Sequence, residues 1–389
     1  MSLFDRTNQS ALGAWWWTVD KTMLSLFLIL MICGIALVTT ASPPVAAHLG
    51  LGDYHFLFRH LVFLVPTVGF MIGLSMLEAQ NIRRLATLLY IASVCMMIAV
   101  LLTGMEIKGA QRWLHIFGFS IQPSEFIKPA FIVMAAWLMG LQKTKSQFPG
   151  NAVTAGLYLV TITLLLLQPD LGMTLVVTSV WAVQIFLAGF PFRLLIGFIL
   201  LALVGLALAY SNFDHVQSRI DRFLNPEAGD NYQVERSIEA FQSGGIFGTG
   251  PGQGEVKLRL PDSHADFIFS VAAEEMGLLF VIILVGIFLA ILLRGFNRLM
   301  QSPDIFTVLA VGGLLSMFGV QALIHMGSSL NLLPTKGMTL PFLSYGGSSL
   351  MATGMAMGAV LALTRRGARS SIARGGLMGR KRYSEADEP

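Results

Sequence analysis

"LATLLYIASVCMMIAVLLTG", residues 85–104, is a run of twenty residues without one charge. As a helix rising about 1.5 Å per residue it measures about 30 Å, the thickness of a bilayer's hydrocarbon core. A membrane-spanning strand needs only about 10 residues and alternates apolar with polar side chains. This run does neither, so it is read as a spanning helix. Outward from it, similar runs are predicted at 22–40, 60–78, 123–141, 152–168, 171–190, 193–210, 267–293, 304–326 and 347–364. The composition agrees, with 54% hydrophobic and 12% charged residues, where a soluble domain carries about a quarter charged. The expected fold class is an all-α polytopic membrane protein of about ten transmembrane helices.

The breaks between runs carry their own signals. "QPD" (168–170) divides the fifth span from the sixth. Proline cannot continue the donor ladder of a helix, and Asp170 can cap the next one. "GFPFR" (189–193) follows the same logic. Ten spans put both ends on one side, and charge decides which. With a cytoplasmic N-terminus, the inner loops hold Arg83, Arg84, Lys143, Lys145, Arg193, Arg294 and Arg298. The outer loops hold mainly Arg59, Lys108, Arg112 and Lys336, and basic residues favour the cytoplasmic side. The layout is then a cytoplasmic segment at 1–21, helices at 22–210 and an extracytoplasmic loop at 211–266. Helices at 267–364 and a basic cytoplasmic tail at 365–389 complete it.

Smaller features fit this frame. Trp15, Trp16 and Trp17 are expected at headgroup level, ahead of an uncleaved first helix. Cys33 and Cys95 lie in apolar runs and read as small buried hydrophobes. No zinc spacing or disulfide framework is present. The basic tail reads as a retention signal for anionic membrane lipids, not as a nucleic-acid site. The long loop carries amphipathic patterns at 216–224 and 231–245, predicted as short helices, the second stopping at Gly244 and Gly245.

Four stretches could carry chemistry. "GTGPGQGEVK" (248–257) lacks the Gly-Lys-Ser/Thr of a nucleotide loop; it is a flexible turn approaching a neighbour, or a phosphate contact through backbone N–H groups and Lys257. At 108–130, Pro123 suits the first position of a helix, Glu125 suits its dipole, and Lys128 lies one turn on. The pair is either a helix-end ion pair or the mark of an interior cavity. Arg112 and Trp113 before it are interfacial anchors or line a headgroup site. In "LLPTKGMTLPFLSYGGSSL" (332–350), prolines and glycines interrupt an apolar stretch. Such backbone is tolerated at membrane depth only where it is buried or lines a cavity, and Lys336, Ser344 and Ser348 would give that cavity donors. In "LPDSHADFIF" (260–269), Ser263 and Asp266 have the spacing of a capping box. Asp262 and Asp266, four apart, would share a helix face that Ser270 and Glu274 continue inward as the wall of a hydrated cavity.

These segments resemble the signatures of the SEDS family (shape, elongation, division and sporulation). The likeness rests on "GAQRWL…QPSEF.K", "QPDLGMTLVV", "SGGIFGTGPGQGEVKLRLPDSHADFIF" and "LPTKGMTLPFLSYGGSSL", and covers the chain from first span to last. It is closer to the division member than to the elongation member. The resemblance implies a ten-span peptidoglycan glycosyltransferase of the bacterial inner membrane, acting at the division septum. Its substrate would be lipid II. Its partners would be a class B penicillin-binding protein transpeptidase (FtsI-like) and other division proteins. The family's essential aspartate falls on Asp266. Glu125 and Lys128 match its conserved pair, and Arg112 and Trp113 the Arg–Trp before it. Ala265 stands where threonine is usual, and Asp262 where glutamate is.

The expected mechanism uses Asp266 as general base on an acceptor sugar hydroxyl, which attacks the anomeric carbon of a diphosphate-linked donor. Lys257, Lys336, Arg112 or a divalent cation, Mg or Mn, would stabilise the departing diphosphate. No ATP site is expected, because the activated lipid supplies the energy. A lipid II flippase and a non-catalytic scaffold are the rival readings. A flippase needs charge through the full depth of the bundle, whereas the polar motifs gather toward one half. A partner helix is expected on the face holding Gly312, Gly313, Gly319 and Gly327.

Overall fold

The computed structural model describes residues 10–104, 111–116, 118–145, 147–191, 232–334 and 337–365, with isolated positions between 192 and 231. A short helix α1 (Ala11–Thr18) precedes the long helices α2 (Lys21–His48), α3 (His55–Ser75) and α4 (Ala79–Thr103). A two-stranded hairpin follows, β1 (Leu114–Ile116) and β2 (Phe119–Ile121), pairing Leu114 with Ile121. Then come α5 (Pro123–Thr144), α6 (Gly150–Leu167), α7 (Leu171–Leu187), α8 (Tyr232–Gly244) and a 3-10 turn (Val256–Arg259). The helices α9 (Ile268–Leu299), α10 (Ile305–Ser329) and α11 (Gly347–Leu363) complete the chain. Nine of the ten expected spans therefore coincide with helices. The other, 193–210, lies largely outside the described residues, as do the pattern at 216–224, Lys108, Lys336 and the basic tail beyond Arg365.

Seven described helices are long and apolar enough to cross a membrane, and α7 and α11 are apolar at 17 residues each. The protein is a multi-pass membrane protein. Burial sorts the helices by depth in the bundle. In the most apolar window of α5, 89% of residues are buried, and 78% in α10, against 17% in α3 and 28% in α4. The first two form the inner core and the last two face outward. Cys95 on α4 is exposed and Cys33 on α2 only partly covered, so neither is the buried hydrophobe expected. Apolar lipid makes that exposure cheap.

The stripe of glycines on α10 is not an outer face. An added Cβ would lie 2.5 Å from Leu187 at Gly312, 2.6 Å from Ile132 at Gly313 and 3.0 Å from Leu292 at Gly319. These glycines let α10 pack inside the bundle, and the expected partner surface there is withdrawn. Close approach is used again where α11 lies along α3: a Cβ at Gly354 would meet the Thr67 carbonyl at 2.8 Å, and one at Gly358 the Met71 carbonyl at 2.6 Å. Small residues four apart let two helix backbones meet this way.

Among the described helices α2 to α7 alternate in direction, and α9 to α11 do so again, as the contacts between their connections require. The connections near 49–54, 111–122, 168–170, 232–267 and 330–346 gather at one end, here termed the mouth. At the opposite end Asp20 caps α2, accepting from the Met23 amide at 3.1 Å. It also accepts from Arg294 Nε at 2.8 Å and Arg298 Nε at 3.1 Å. Burial pushes its carboxyl up, but these hydrogen bonds and charges hold it below the ordinary value. Trp15 is buried and donates its indole N–H to Ser75 Oγ at 2.8 Å. It therefore belongs to the core, unlike Trp16 and Trp17, whose rings flank Lys21 at 4.6 Å each.

Candidate active site at the bundle mouth

The residues around Asp266 are a turn, not a helix. Asp262 takes the left-handed conformation, with φ of 53°, which no helix interior accepts. Its carbonyl accepts from the Ala265 and Asp266 amides at 3.0 and 2.9 Å. Helix α9 begins only at Ile268, with Phe267 at its N-cap and no side-chain cap bond. Ser263 instead points its hydroxyl toward the Ala41 carbonyl of α2 at 3.5 Å. The expected capping box and shared helix face are both corrected. Asp266 is half-buried and lies against Gly337, where an added Cβ would stand 2.9 Å from its Oδ2. Glycine is what lets the 337–346 segment pass so near the carboxylate.

A compact aromatic group adjoins that turn. The His264 ring packs on Phe56 at 4.3 Å and Tyr345 at 5.1 Å between centroids. Its carbonyl accepts from the Tyr345 amide at 2.9 Å, tying the turn to the 337–346 segment. Among the described residues its Nδ1 has no hydrogen-bond partner. Burial depresses the imidazole to about 4, against the opposing pull of Asp262. Burial also raises the Tyr345 phenol, while the charge and hydrogen bond of Arg59 oppose that rise. Arg59 further donates to the Gly118 carbonyl of the hairpin at 3.4 Å. Sequence reasoning counted Arg59 only as a loop charge. Its place one turn inside α3, level with the loops of the mouth, was the signal available.

The remaining expected site residues fall into two groups. Arg112 stays at the mouth. It donates from Nε to the Gln168 carbonyl at 3.1 Å and from Nη2 to the Pro169 carbonyl, and stands 3.9 Å from Asp170. The "QPD" break is thus held by an arginine as well as by the Asp170 cap on Met173. Trp113 beside it is partly exposed. The others are committed to the scaffold. Ser344 Oγ accepts from the Leu340 amide at 2.8 Å and Ser348 Oγ from the Gln122 amide at 2.9 Å. Glu125 and Lys128 are a buried ion pair at 2.7 Å, the ammonium also touching Met173 Sδ at 3.1 Å.

Glu274 and Lys257 depart furthest from expectation. Glu274 is 1% exposed and accepts from the Val256 and Lys257 amides at 2.7 and 3.0 Å. It caps the 3-10 turn and lines no hydrated wall. Lys257 is also buried, donating to Glu275 and to the Thr40 carbonyl. Its charge is neutralised inside the fold, so it offers no free cation to a substrate. Both follow from a break that local sequence does not announce. Gly277 sits at φ 78° within α9, which frees carbonyls and amides on either side of it. The loop ahead of α9 takes them up: Thr249 N and Gly250 N donate to the Glu274 and Glu275 carbonyls at 2.9 and 3.0 Å. In return Leu278 N and Leu279 N donate to the Gly245 and Ile246 carbonyls at 2.9 and 3.1 Å. Broken helix is tolerated at membrane depth where protein re-satisfies it. The glycine-dense stretch is therefore a turn with close backbone approach, the plainer of its two readings.

Among the described residues no group of three or more His, Cys, Asp or Glu is placed to hold a metal. The turn offers two carboxylates, Asp262 and Asp266, fewer than an all-protein site for a divalent cation uses.

The bundle and its carboxylate mouth define a polytopic membrane protein with a polar site at one end. The FtsW/RodA/SpoVE model, described as cell cycle protein, matches residues 20–369, and the chain belongs to that family. It is 43% identical over 364 residues to the probable peptidoglycan glycosyltransferase FtsW of Caulobacter vibrioides, covering 93% of each chain. It is similar in structure to a chain of a peptidoglycan synthase complex that coordinates polymerization and crosslinking, with TM-score 0.75, 30% identity and coverage of 89% and 97%. The rod shape determining protein RodA of Thermus thermophilus matches with TM-score 0.67, 29% identity and coverage of 90% and 97%.

Proposed function

We propose that this chain is a peptidoglycan glycosyltransferase polymerising lipid II into glycan strands for septal wall synthesis, with Asp266 as general base. The observation that carries this is the state of that carboxylate. It is half-exposed at the mouth, stands outside the N-cap position of α9, which Phe267 takes, and lies against a glycine whose missing Cβ leaves it room. A purely structural acid is buried like Glu274, which is 1% exposed.

In the proposed step Asp266 removes the proton from the acceptor's sugar hydroxyl as its oxygen attacks the anomeric carbon of the donor. The bond to the diphosphate breaks as the new bond forms, so the anomeric centre inverts. A diphosphate leaves without an acid's help, unlike the leaving groups that make glycosidases use two carboxylates. Arg112 and Lys336 are the proposed cations for its charge, joined now by Arg59. Lys257 serves the scaffold instead. A carboxylate is a weak base, so positioning of both sugars supplies much of the rate.

The mouth is proposed to face outside the cytoplasm at the inner membrane, with both termini inside, since Arg83, Arg84, Arg294 and Arg298 gather at the opposite end. A class B penicillin-binding protein is the proposed partner, supported by the likeness to a chain of a synthase complex. The deciding assay uses purified protein with lipid II, with and without that transpeptidase. Asp266→Asn keeps the size of the side chain and should fold and bind the partner, while strand formation falls by about 10²–10⁴. Polymerisation at the parental rate would remove Asp266 from the reaction.

A further inference from the structure

A groove lies at the end opposite the mouth, away from the site described above. It has a volume of about 590 Å³ and is lined by Gln80, Arg83, Arg84, Thr87 and Leu88 of α4 and by Trp137 of α5. That is within the range of small-molecule sites, about 300–1,000 Å³. The five α4 residues follow the spacing i, i+3, i+4, i+7, i+8, which is one face of a helix. Their order along that face is chemical. The amide and two guanidiniums occupy the first turns, and Leu88 lies about 12 Å beyond Gln80 and about 6–8 Å beyond the arginines, further into the membrane at about 1.5 Å per residue.

The fold does not neutralise either guanidinium. Among the described residues neither Arg83 nor Arg84 is ion-paired with a carboxylate. The nearby Glu78 exerts its charge on Arg365 instead. Arg83 lies near two rings, 5.0 Å from the Phe306 centroid and 6.0 Å from that of Trp137, with Nε donating to the Ala79 carbonyl at 3.3 Å. Arg84 is exposed. Two positive charges, one anchored and one free to reach, above an apolar wall with no acid in the lining, complement one kind of molecule: an anion attached to a hydrocarbon chain.

We propose that this groove binds an anionic phospholipid, its phosphodiester on Arg83 and Arg84 and an acyl chain along Leu88 and Trp137. Basic pockets between spanning helices favour such headgroups, each basic side chain adding about fivefold to the affinity.

The test is lipid retention, so its failure would leave the polymerase proposal untouched. The full chain is reconstituted in nanodiscs of mixed phosphatidylglycerol and phosphatidylcholine, released into detergent, and its retained lipids are counted by native mass spectrometry. Phosphatidylglycerol should be retained preferentially. Arg83→Gln with Arg84→Gln should cut that preference about 30-fold, while lysine at both positions should keep most of it. Equal retention by the glutamine variant overturns the proposal. Displacement by inorganic phosphate at equal concentration also overturns it, in favour of a free-anion site. If the double variant does not fold, Arg84→Gln alone decides, because that side chain makes no hydrogen bond or ion pair among the described residues. A fivefold loss supports the site and no loss overturns it.

Discussion

Replacing Glu125 by glutamine leaves the Lys128 ammonium without its counter-charge in a packed interior. The pair is 2.7 Å apart, and its side chains are 1% and 5% exposed. Water cannot take over for the missing partner, so each single substitution, Glu125→Gln or Lys128→Met, should destabilise by about 3–5 kcal/mol. The double variant removes both charges and keeps the volume, and should lie close to the parent. Lys128→Met also gives up the contact with Met173 Sδ, but a thioether is too weak an acceptor to change that sum. The coupling between the two sites is then about 6–10 kcal/mol, the sum of the two single losses, far above the roughly 0.5–3 kcal/mol usual for neighbouring residues. Unfolding of the four purified proteins in mixed detergent micelles gives the cycle directly. Additive losses, with the double variant worse than either single, would show that the ion pair carries none of the coupling assigned to it.

Three further outcomes are expected. Gly277→Ala sets a Cβ 2.3 Å from the Gly248 amide at φ 78°, ψ 177°; it should cost about 1–3 kcal/mol for the backbone alone and hasten proteolysis between 245 and 260, and an unchanged digest would contradict the bonding of that loop to α9. His264 is held neutral by burial, its value falling from 6.5 to about 4. The unfolded chain binds the extra proton, so stability is full above 6.5, declines by up to about 3 kcal/mol as pH falls to 4, and levels off below. His264→Phe should flatten that interval in a pH series of melting curves, and an identical slope would assign it to another group. Finally, in a background lacking Cys33 and Cys95, Gln253→Cys should react with an impermeant thiol reagent in intact spheroplasts. Labelling only after lysis reverses the proposed orientation.

The helices were legible because length and hydropathy are local properties. A run such as 85–104 can satisfy its backbone only within itself, so the helix follows without knowledge of its neighbours. The cap at Asp170 and the stop at Gly244 were legible for the same reason. What escaped was decided across the fold. The spacing of Asp262 and Asp266 suits a helix, but the turn is tied to Tyr345, 81 residues along from His264. Glu274 and Lys257 looked available because their partners, the 3-10 turn amides and Glu275, come from the packing of the loop on α9. The glycines of α10 looked like an outer face because small residues serve inner and outer helix contacts alike. The hairpin at 114–121 was missed because its three-residue strands are too short to show alternation.

The break at Gly277 bears on the order in which the chain is made. The first turns of α9 cannot complete their hydrogen bonds alone; the stretch that completes them, residues 245–250, leaves the ribosome before α9 does. Only about 30 residues separate the stitched groups, so closing that loop costs little entropy beyond the shortest possible one. Helix α8 already carries the contact that steadies the assembly, Ser237 bonding both to Ser270 and to the Ser329 carbonyl. Residues 232–299 thus have the means to assemble as one early unit during biogenesis, and α10 then arrives to lock it. A ribosome-bound chain truncated soon after α9 should already protect the 245–250 amides from exchange.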